Sequence, residues 1–187
     1  MATLKEVLRH TEEKMQKTIE VVQREFATIR TSRASPTLVD HIKINYYGTL
    51  TPLRQLATIS IPEPKLIIIQ PWDQSVLSEV EKEILKANLG LTPINDGKVI
   101  KISIPPLSKE RREELIKVVK KIAEDGRVAI RSIRHEAIEH IRKMEKEKLI
   151  SEDDSFRNQE EVQKLTDKYI KQVDEILKTK EKEILEV

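Results

Sequence analysis

The stretch Val99–Pro106, which reads VIKISIPP, is where one sequence pattern gives way to another. Apolar and polar residues alternate up to Ile104, as in a half-buried β-strand, and the two prolines that follow cannot continue a strand ladder. Beyond them the apolar residues return with helical spacing, and a first helical pattern ends near Arg30. The sequence therefore predicts a helical domain, residues 1–30 and 105–187, with a strand-rich domain, residues 31–104, inserted into it.

The composition favours long solvent-washed helices. The chain has 187 residues, of which 35% are charged, 38% hydrophobic and only 3% aromatic. It contains no cysteine, which excludes disulfides and thiolate chemistry. The N-terminus has no signal-peptide pattern, and the aliphatic run Leu66–Ile69 is far too short to span a bilayer. We expect a soluble cytoplasmic protein.

Three segments carry apolar residues at helical spacing. The first spans residues 3–30, with Thr3 and Glu6 placed to form a capping box. The second starts after Ser108 and continues to about Lys148, at roughly 1.5 Å per residue a helix of about 60 Å. The third follows Ser151 and runs towards Ile184. Such helices can bury their stripes together as a long antiparallel three-helix bundle.

Gly126 falls on the apolar stripe of the second long helix. A glycine inside a helix costs about 1 kcal/mol relative to alanine. Its position on the stripe predicts a close approach of a neighbouring helix and not a break.

The inserted segment predicts a small β/α/β domain with four to six short strands. Tyr47-Gly48 and Asn95–Gly97 are turn signals between alternating segments. Asp73 or Ser75 could cap one helix through Leu85, and Gly90 is expected to end it as a left-handed cap. The predicted fold class is therefore α+β.

Several patterns that could carry chemistry have simpler explanations. His135 and His140 are five residues apart, which turns the second imidazole about 140° from the first and does not fit a zinc helix. The four glycines are scattered, so no phosphate-binding loop exists. The carboxylates Glu152–Asp154 suit the first turn of a helix better than a metal. Trp72 is expected to pack in the core or at a strand edge, and no cofactor is predicted.

One surface pattern remains as a candidate binding site. Residues 105–150 carry 13 Lys and Arg against 9 Asp and Glu, whereas residues 151–187 carry 7 against 11. On a helical wheel centred on Ile122, Ala129 and Ile133, three arginines, Arg127, Arg131 and Arg134, share a flank about 110° away.

Lys120 and Arg142 extend the arginine row, and Arg30 and Arg33 lie at the domain junction. Two interpretations of the row stay open: a solvated face paired with the acidic last helix, or a ridge that contacts nucleic-acid phosphates. No aromatic residue interleaves the arginines, so folded RNA fits the second interpretation better than stacked single strands.

Eight blocks of residues follow one another along nearly the whole sequence in a specific order: Arg30–Pro36, Tyr46–Thr49, Thr51–Ala57, Leu89–Leu91, Pro105–Leu107, Glu124–Arg131, Glu152–Asp154 and Gln163–Asp167. In these blocks the chain closely resembles the bacterial ribosome recycling factor family. Ser32 stands where the family often has Gly, and His135 where a further Arg is usual. A neutral imidazole at His135 would remove one phosphate contact at pH 7.

The resemblance implies a three-helix bundle joined by a hinge to the β/α/β domain, in an L shape similar in outline to tRNA. It implies a non-enzymatic factor that binds the post-termination ribosome and, with elongation factor G and its GTP hydrolysis, separates the subunits. Contacts to large-subunit RNA would fall on Arg30, Arg33, Lys120, Arg127, Arg131 and Arg134. The hinge would comprise Thr31, Ser32, Ser35, Ile104, Pro105 and Pro106.

Two other functions are possible on the residues alone. A coiled-coil scaffold would use its apolar stripe to bind another chain and would form an obligate oligomer, whereas we expect a monomer. A hydrolase built around a carboxylate-bound metal near Asp153 would retain stoichiometric metal. We expect neither membrane nor DNA among the partners.

Overall fold

The protein is described by a computed structural model covering residues 2–186, which fall into two compact units. The first unit contains the chain up to Ile29 together with Lys109–Leu185, and the second contains Arg30–Ser108 together with Glu186. The sequence pattern had placed the boundaries after residue 30 and before residue 105. No helix within residues 2–186 is long and apolar enough to cross a membrane.

The first unit consists of three long α-helices: α1 (Leu4–Ala27), α3 (Lys109–Lys146) and α4 (Glu152–Leu185). The predicted capping box is present at α1, because the Thr3 hydroxyl accepts from the Glu6 backbone N–H and Glu6 accepts from Thr3. Ser151 Oγ accepts from the Asp154 backbone N–H at 3.1 Å and starts α4. The acidic residues after Ser151 therefore occupy the first turn, and Asp154 also pairs with Arg157.

The neighbouring helices pack closely against Gly126. A Cβ built on Gly126 would lie 2.7 Å from Val22 Cγ2 on α1 and 3.9 Å from Val173 Cγ2 on α4. The predicted close approach is confirmed. The apolar stripes of the three helices face one another here, and Val22 and Val173 are buried.

The buried centre of α3 differs from the predicted one. Ala123, Gly126 and Ile130 are buried, whereas Ile122, Ala129 and Ile133 are only half-buried. The contact with α1 and α4 lies at Gly126, where the absent side chain lets the helices come close, and Ala123 and Ile130 lie on the same buried face.

The second unit contains six strands and one α-helix. Strands β1 (Lys43–Tyr46) and β2 (Thr49–Pro52) form a separate hairpin, while β3 (Ala57–Glu63), β4 (Leu66–Pro71), β5 (Thr92–Asn95) and β6 (Ile100–Ser103) form an antiparallel sheet of order β3-β4-β6-β5. Helix α2 spans Leu77–Lys86. Both predicted turns are present, and positive φ angles occur at Tyr47, Gly48 and Gly97.

One buried cluster forms the core of the second unit. It joins the inward face of the sheet to α2 and the hairpin, and its fully buried members include Ile44, Ile67, Ile69, Val80, Ile100 and Ile102.

Two local expectations in the second unit are wrong. Asn88, with φ of 49°, takes the left-handed position directly after α2. Gly90, with φ of 70°, is left-handed as predicted, but it lies further along the loop and does not cap the helix. Asparagine tolerates this conformation better than most residues with a Cβ. Trp72 is 70% exposed, because the buried Pro71 before it takes the inward-facing position at the end of β4.

Candidate nucleic-acid interface

The three arginines on α3 differ in how far they stand from the bundle core. Because the buried face of α3 is centred on Ala123, Gly126 and Ile130, Arg127 and Arg134 border that face and are half-buried. Arg131 lies further round the helix, and its side chain is 55% exposed. The three arginines lie on the same side of α3, as the helical wheel predicted, but they differ in how exposed they are.

Arg127 forms ion pairs with two carboxylates. Its Nε and Nη2 donate to Asp174 Oδ1 on α4 at 2.8 and 2.6 Å, and its Nη1 donates to Glu124 Oε2 at 3.0 Å. Only 20% of the side chain is exposed. Partial burial acts to lower the pKa of Arg127, but hydrogen bonds to Asp174 and Glu124 raise it above its usual value. At Arg127 the structure therefore shows the first of the two interpretations, an arginine paired with the acidic last helix.

Glu124 connects Arg127 to Arg131. Its second oxygen accepts from Arg131 Nη1 at 3.2 Å. Hydrogen bonds from Arg127 and then from Arg131 hold the pKa of the Glu124 carboxyl below its usual value. Glu124 is therefore ionised at neutral pH and offsets part of the positive charge of this pair.

Arg134 has a different partner. Its Nε donates to the side-chain oxygen of Gln163 on α4 at 2.7 Å, and the Gln163 amide nitrogen donates to Asp167 at 2.9 Å. The contact that holds Arg134 is thus to a neutral amide, in contrast to the carboxylates around Arg127.

The other predicted contacts are distributed over both units. Lys120 is exposed on α3 in the first unit, and Arg30 is exposed in the second. Arg33 forms a bidentate ion pair with Glu186, with both bonds at 2.7 Å. The structure thus brings Arg127, Arg131 and Arg134 together on one helix and gives Arg33 an acidic partner within the second unit.

The predicted hinge residues belong to the second unit, and several of them form hydrogen bonds. Ser32 is buried and donates to the Glu186 carbonyl at 3.1 Å, while Ser35 caps a short 3-10 helix. Ile104 is buried, and its backbone N–H donates to the Lys65 carbonyl at 2.8 Å. Thr31 is half-buried, and the side chains of Pro105 and Pro106 are exposed.

Sequence reasoning missed the acceptors on α4. The Glu124 contact to Arg127 could be read from a spacing of three residues on one helix. The contacts to Asp174 and Gln163 depend on the register between two helices, which no local pattern fixes. The charge balance of the last helix indicated only that acidic partners were available.

Other surface residues bear on the alternatives. All four histidines are exposed, as expected for residues without a zinc-binding role. Among residues 2–186, no three or more His, Asp or Glu side chains are arranged to hold a metal ion. The apolar stripes face one another within the bundle, which leaves the scaffold interpretation without a stripe to bind a partner.

The family model and the relatives that match this chain carry the same family description. The family model described as "Ribosome recycling factor" matches residues 22–185. The chain is 56% identical over 184 residues to the ribosome-recycling factor of Carboxydothermus hydrogenoformans, covering 98% of this chain and 100% of the relative. It is 55% identical over 181 residues to that of Oleidesulfovibrio alaskensis, covering 97% and 98%.

Solved structures agree over the full length. A solution structure of the ribosome recycling factor superposes with a TM-score of 0.73 at 44% identity, covering 100% of both chains. A second match has a TM-score of 0.65 at 45% identity and covers 99% of this chain and 100% of the other. That structure is described as models of the Thermus thermophilus ribosome recycling factor and Escherichia coli elongation factor G bound to the Escherichia coli post-termination complex.

Proposed function

Because this chain belongs to the ribosome recycling factor family, we propose that it binds the ribosome after termination and helps to separate the subunits. Elongation factor G is the proposed partner, and GTP hydrolysis by that partner supplies the energy. The protein itself performs no catalytic step. It acts in the cytoplasm as a monomer.

The observation that carries the proposal is the similarity along the whole chain. A relative with 56% identity covers 98% of the sequence, so both units and both connections between them have counterparts in a recycling factor. The family likeness therefore extends beyond a shared fold, which alone would not support a function.

We propose that the arginine side of α3 contacts large-subunit RNA. Arg131 is 55% exposed with one terminal nitrogen bonded to Glu124, and Arg134 is held by a neutral amide, so both have guanidinium N–H groups left to bind phosphates. Arginine suits this task because its planar guanidinium can bind a phosphate through two parallel hydrogen bonds. Arg30, Arg33, Lys120 and Arg127 complete the proposed set. Arg33 would exchange Glu186 for a phosphate, and Arg127 would exchange Asp174 and Glu124.

We also propose that the two connections between the units act as a hinge. The residues are Thr31, Ser32, Ser35, Ile104, Pro105 and Pro106. The expected result is that NMR relaxation gives separate rotational correlation times for the two units. A single diffusion tensor that fits both units would contradict the hinge.

Ribosome splitting tests the function directly. Post-termination ribosomes are mixed with the protein, elongation factor G and GTP, and dissociation is followed by the fall in light scattering. We expect fast splitting only when all three are present, and omission of GTP serves as the control. No stimulation by this protein over elongation factor G and GTP alone would refute the proposed function.

A charge reversal tests the RNA surface. Arg134→Glu should weaken binding to large subunits about tenfold or more, since a hydrogen bond to a charged group contributes roughly 1.5–3 kcal/mol. Arg157→Glu is the matched control, because Arg157 is 71% exposed at the start of α4 and lies outside the proposed set. Unchanged affinity of Arg134→Glu, with unaltered helical circular dichroism, would contradict the assignment.

A further inference from the structure

A chain of two hydrogen bonds connects α4 to the guanidinium of Arg134. Asp167 Oδ1 accepts from Gln163 Nε2 at 2.9 Å, and Gln163 Oε1 accepts from Arg134 Nε at 2.7 Å. Asp167 and Gln163 are one helical turn apart on α4, so both face the same side. Gln163 and Arg134 are half-buried at the edge of the bundle.

The chemistry of the two neighbours determines the orientation of the Gln163 amide. An ionised carboxylate can only accept hydrogen bonds, and a guanidinium can only donate them. The amide nitrogen must therefore face Asp167, and the amide oxygen must face Arg134. The reverse orientation would break both bonds, so Asp167 holds Gln163 in the state that binds arginine.

The bond to Gln163 uses only one of the five N–H groups of Arg134. The four N–H groups on the two terminal nitrogens have no partner in the part of the chain that the structure describes, and no carboxylate of residues 2–186 forms an ion pair with Arg134. The guanidinium thus keeps its full positive charge and its two terminal nitrogens.

Arg127, two turns earlier on α3, provides the contrast. Its Nε, Nη1 and Nη2 all donate to the carboxylates of Asp174 and Glu124. A phosphate that approached Arg127 would have to displace these anions. A phosphate that approached Arg134 would displace no charged group, because the acceptor there is neutral and contacts only Nε.

We infer that Gln163 is a positioning residue that holds Arg134 ready to bind an RNA phosphate through its terminal nitrogens. This inference rests on the proposed function. A free arginine side chain loses rotational freedom when it binds, and a prior contact removes part of that cost. Gln163 holds the side chain without neutralising it, and Asp167 holds Gln163.

A double-mutant cycle on large-subunit binding tests the inference. Gln163→Met keeps the size of the side chain and removes the acceptor, and Arg134→Met removes the guanidinium. Gln163→Met alone should weaken binding about 3- to 10-fold, the range that corresponds to ordering one long side chain. In the Arg134→Met background the same substitution should change affinity less than about twofold, because the side chain that Gln163 orders is gone.

Salt titrations separate positioning from charge. Arg134→Met should reduce the slope of log affinity against log salt by about 1, the value for one phosphate contact, whereas Gln163→Met should leave the slope unchanged. Gln163→Glu keeps an acceptor but adds a negative charge beside Arg134, so it should weaken binding and also reduce the slope. Gln159→Ala is the matched control, because Gln159 donates to Ser155 Oγ on the same helix.

Each outcome identifies which statement fails. If Arg134→Met binds large subunits normally, the proposed RNA contact of Arg134 is wrong. If Arg134→Met weakens binding but Gln163→Met has no effect, or has the same effect in both backgrounds, the positioning role is wrong. Splitting activity of the unaltered protein, measured alongside, reports on the proposed function independently of both results.

Discussion

The substitution Gly126→Ala tests how tightly the bundle is packed around this glycine. A new Cβ at position 126 would lie 2.7 Å from Val22 Cγ2, much closer than carbon atoms approach in proteins. Val22 is only 2% exposed, so its side chain has little room to turn away. Val173 Cγ2, at 3.9 Å, is in ordinary contact and adds little strain.

Two effects of opposite sign determine the change in stability. Alanine is favoured over glycine within a helix by about 1 kcal/mol. Inserting a methyl group into a packed core costs about 1–3 kcal/mol. Because the clash is below the limit of ordinary contact, we expect the packing cost to dominate and the free energy of unfolding to fall by up to about 2 kcal/mol.

A second substitution should reverse the sign. Val22→Ala removes the methyl group that Gly126→Ala would meet. Alone, it leaves a cavity and should lower the free energy of unfolding by roughly 1–3 kcal/mol. In that background, Gly126→Ala meets no clash, gains the helix preference and fills part of the cavity, so it should raise stability by about 1 kcal/mol.

Urea unfolding followed by helical circular dichroism measures these changes. The signal reports mainly on the bundle, which contains three of the four α-helices within residues 2–186. Ser132→Ala, at an exposed position of α3, controls for helix preference alone and should stabilise slightly. Gly126→Ala that stabilises the protein with Val22 intact, or that has the same effect in both backgrounds, would refute the reasoning.

Two further predictions concern the second unit. Asn88→Gly should stabilise the protein by up to about 1 kcal/mol, because Asn88 has a positive φ that glycine adopts more easily. Ala87→Gly, at an ordinary helical φ, should destabilise it. Urea unfolding compares the two variants, and equal effects would contradict the argument. Hydrogen bonds from the backbone N–H groups of Val99 and Lys98 hold the pKa of Asp96 below the usual 3.8. The contribution of the Asp96 carboxylate to the free energy of unfolding is therefore full above pH 3.8 and is lost as the pH falls through the folded-state pKa. The stability gap between the protein and Asp96→Ala, measured by hydrogen exchange of β6, should therefore be constant near neutral pH and shrink in acid; a pH-independent gap would contradict the role of the carboxylate.

The sequence predicted those features that depend on residues close together in the chain. The capping box at Thr3 and Glu6, the turn at Tyr47-Gly48 and the start of α4 at Ser151 each rest on neighbours within a few positions. The close approach at Gly126 was also predictable, since a glycine on an apolar stripe has few other uses.

Features that depend on packing between elements were less predictable. The buried face of α3 is centred on Ala123, Gly126 and Ile130 and not on Ile122, Ala129 and Ile133, because α1 and α4 contact α3 at Gly126, and the pattern of one helix does not say where its neighbours pack. The left-handed residue directly after α2 is Asn88 and not Gly90, two residues later. The partners of Arg127 and Arg134 required the register between α3 and α4, which the sequence of neither helix contains.

The insertion has a consequence for the order in which the chain is made. Lys14 on α1 pairs with Glu136, 122 residues later, and Glu12 pairs with Lys168, 156 residues later. During synthesis, residues 30–108 of the second unit emerge before all of α3 and α4, whereas α1 must keep its apolar stripe unpaired until α3 and α4 follow. Contacts of such long sequence separation also slow folding. A protein that we propose to act on ribosomes thus has a first helix whose Glu12 can meet Lys168 only after the ribosome has added the residue 156 positions later.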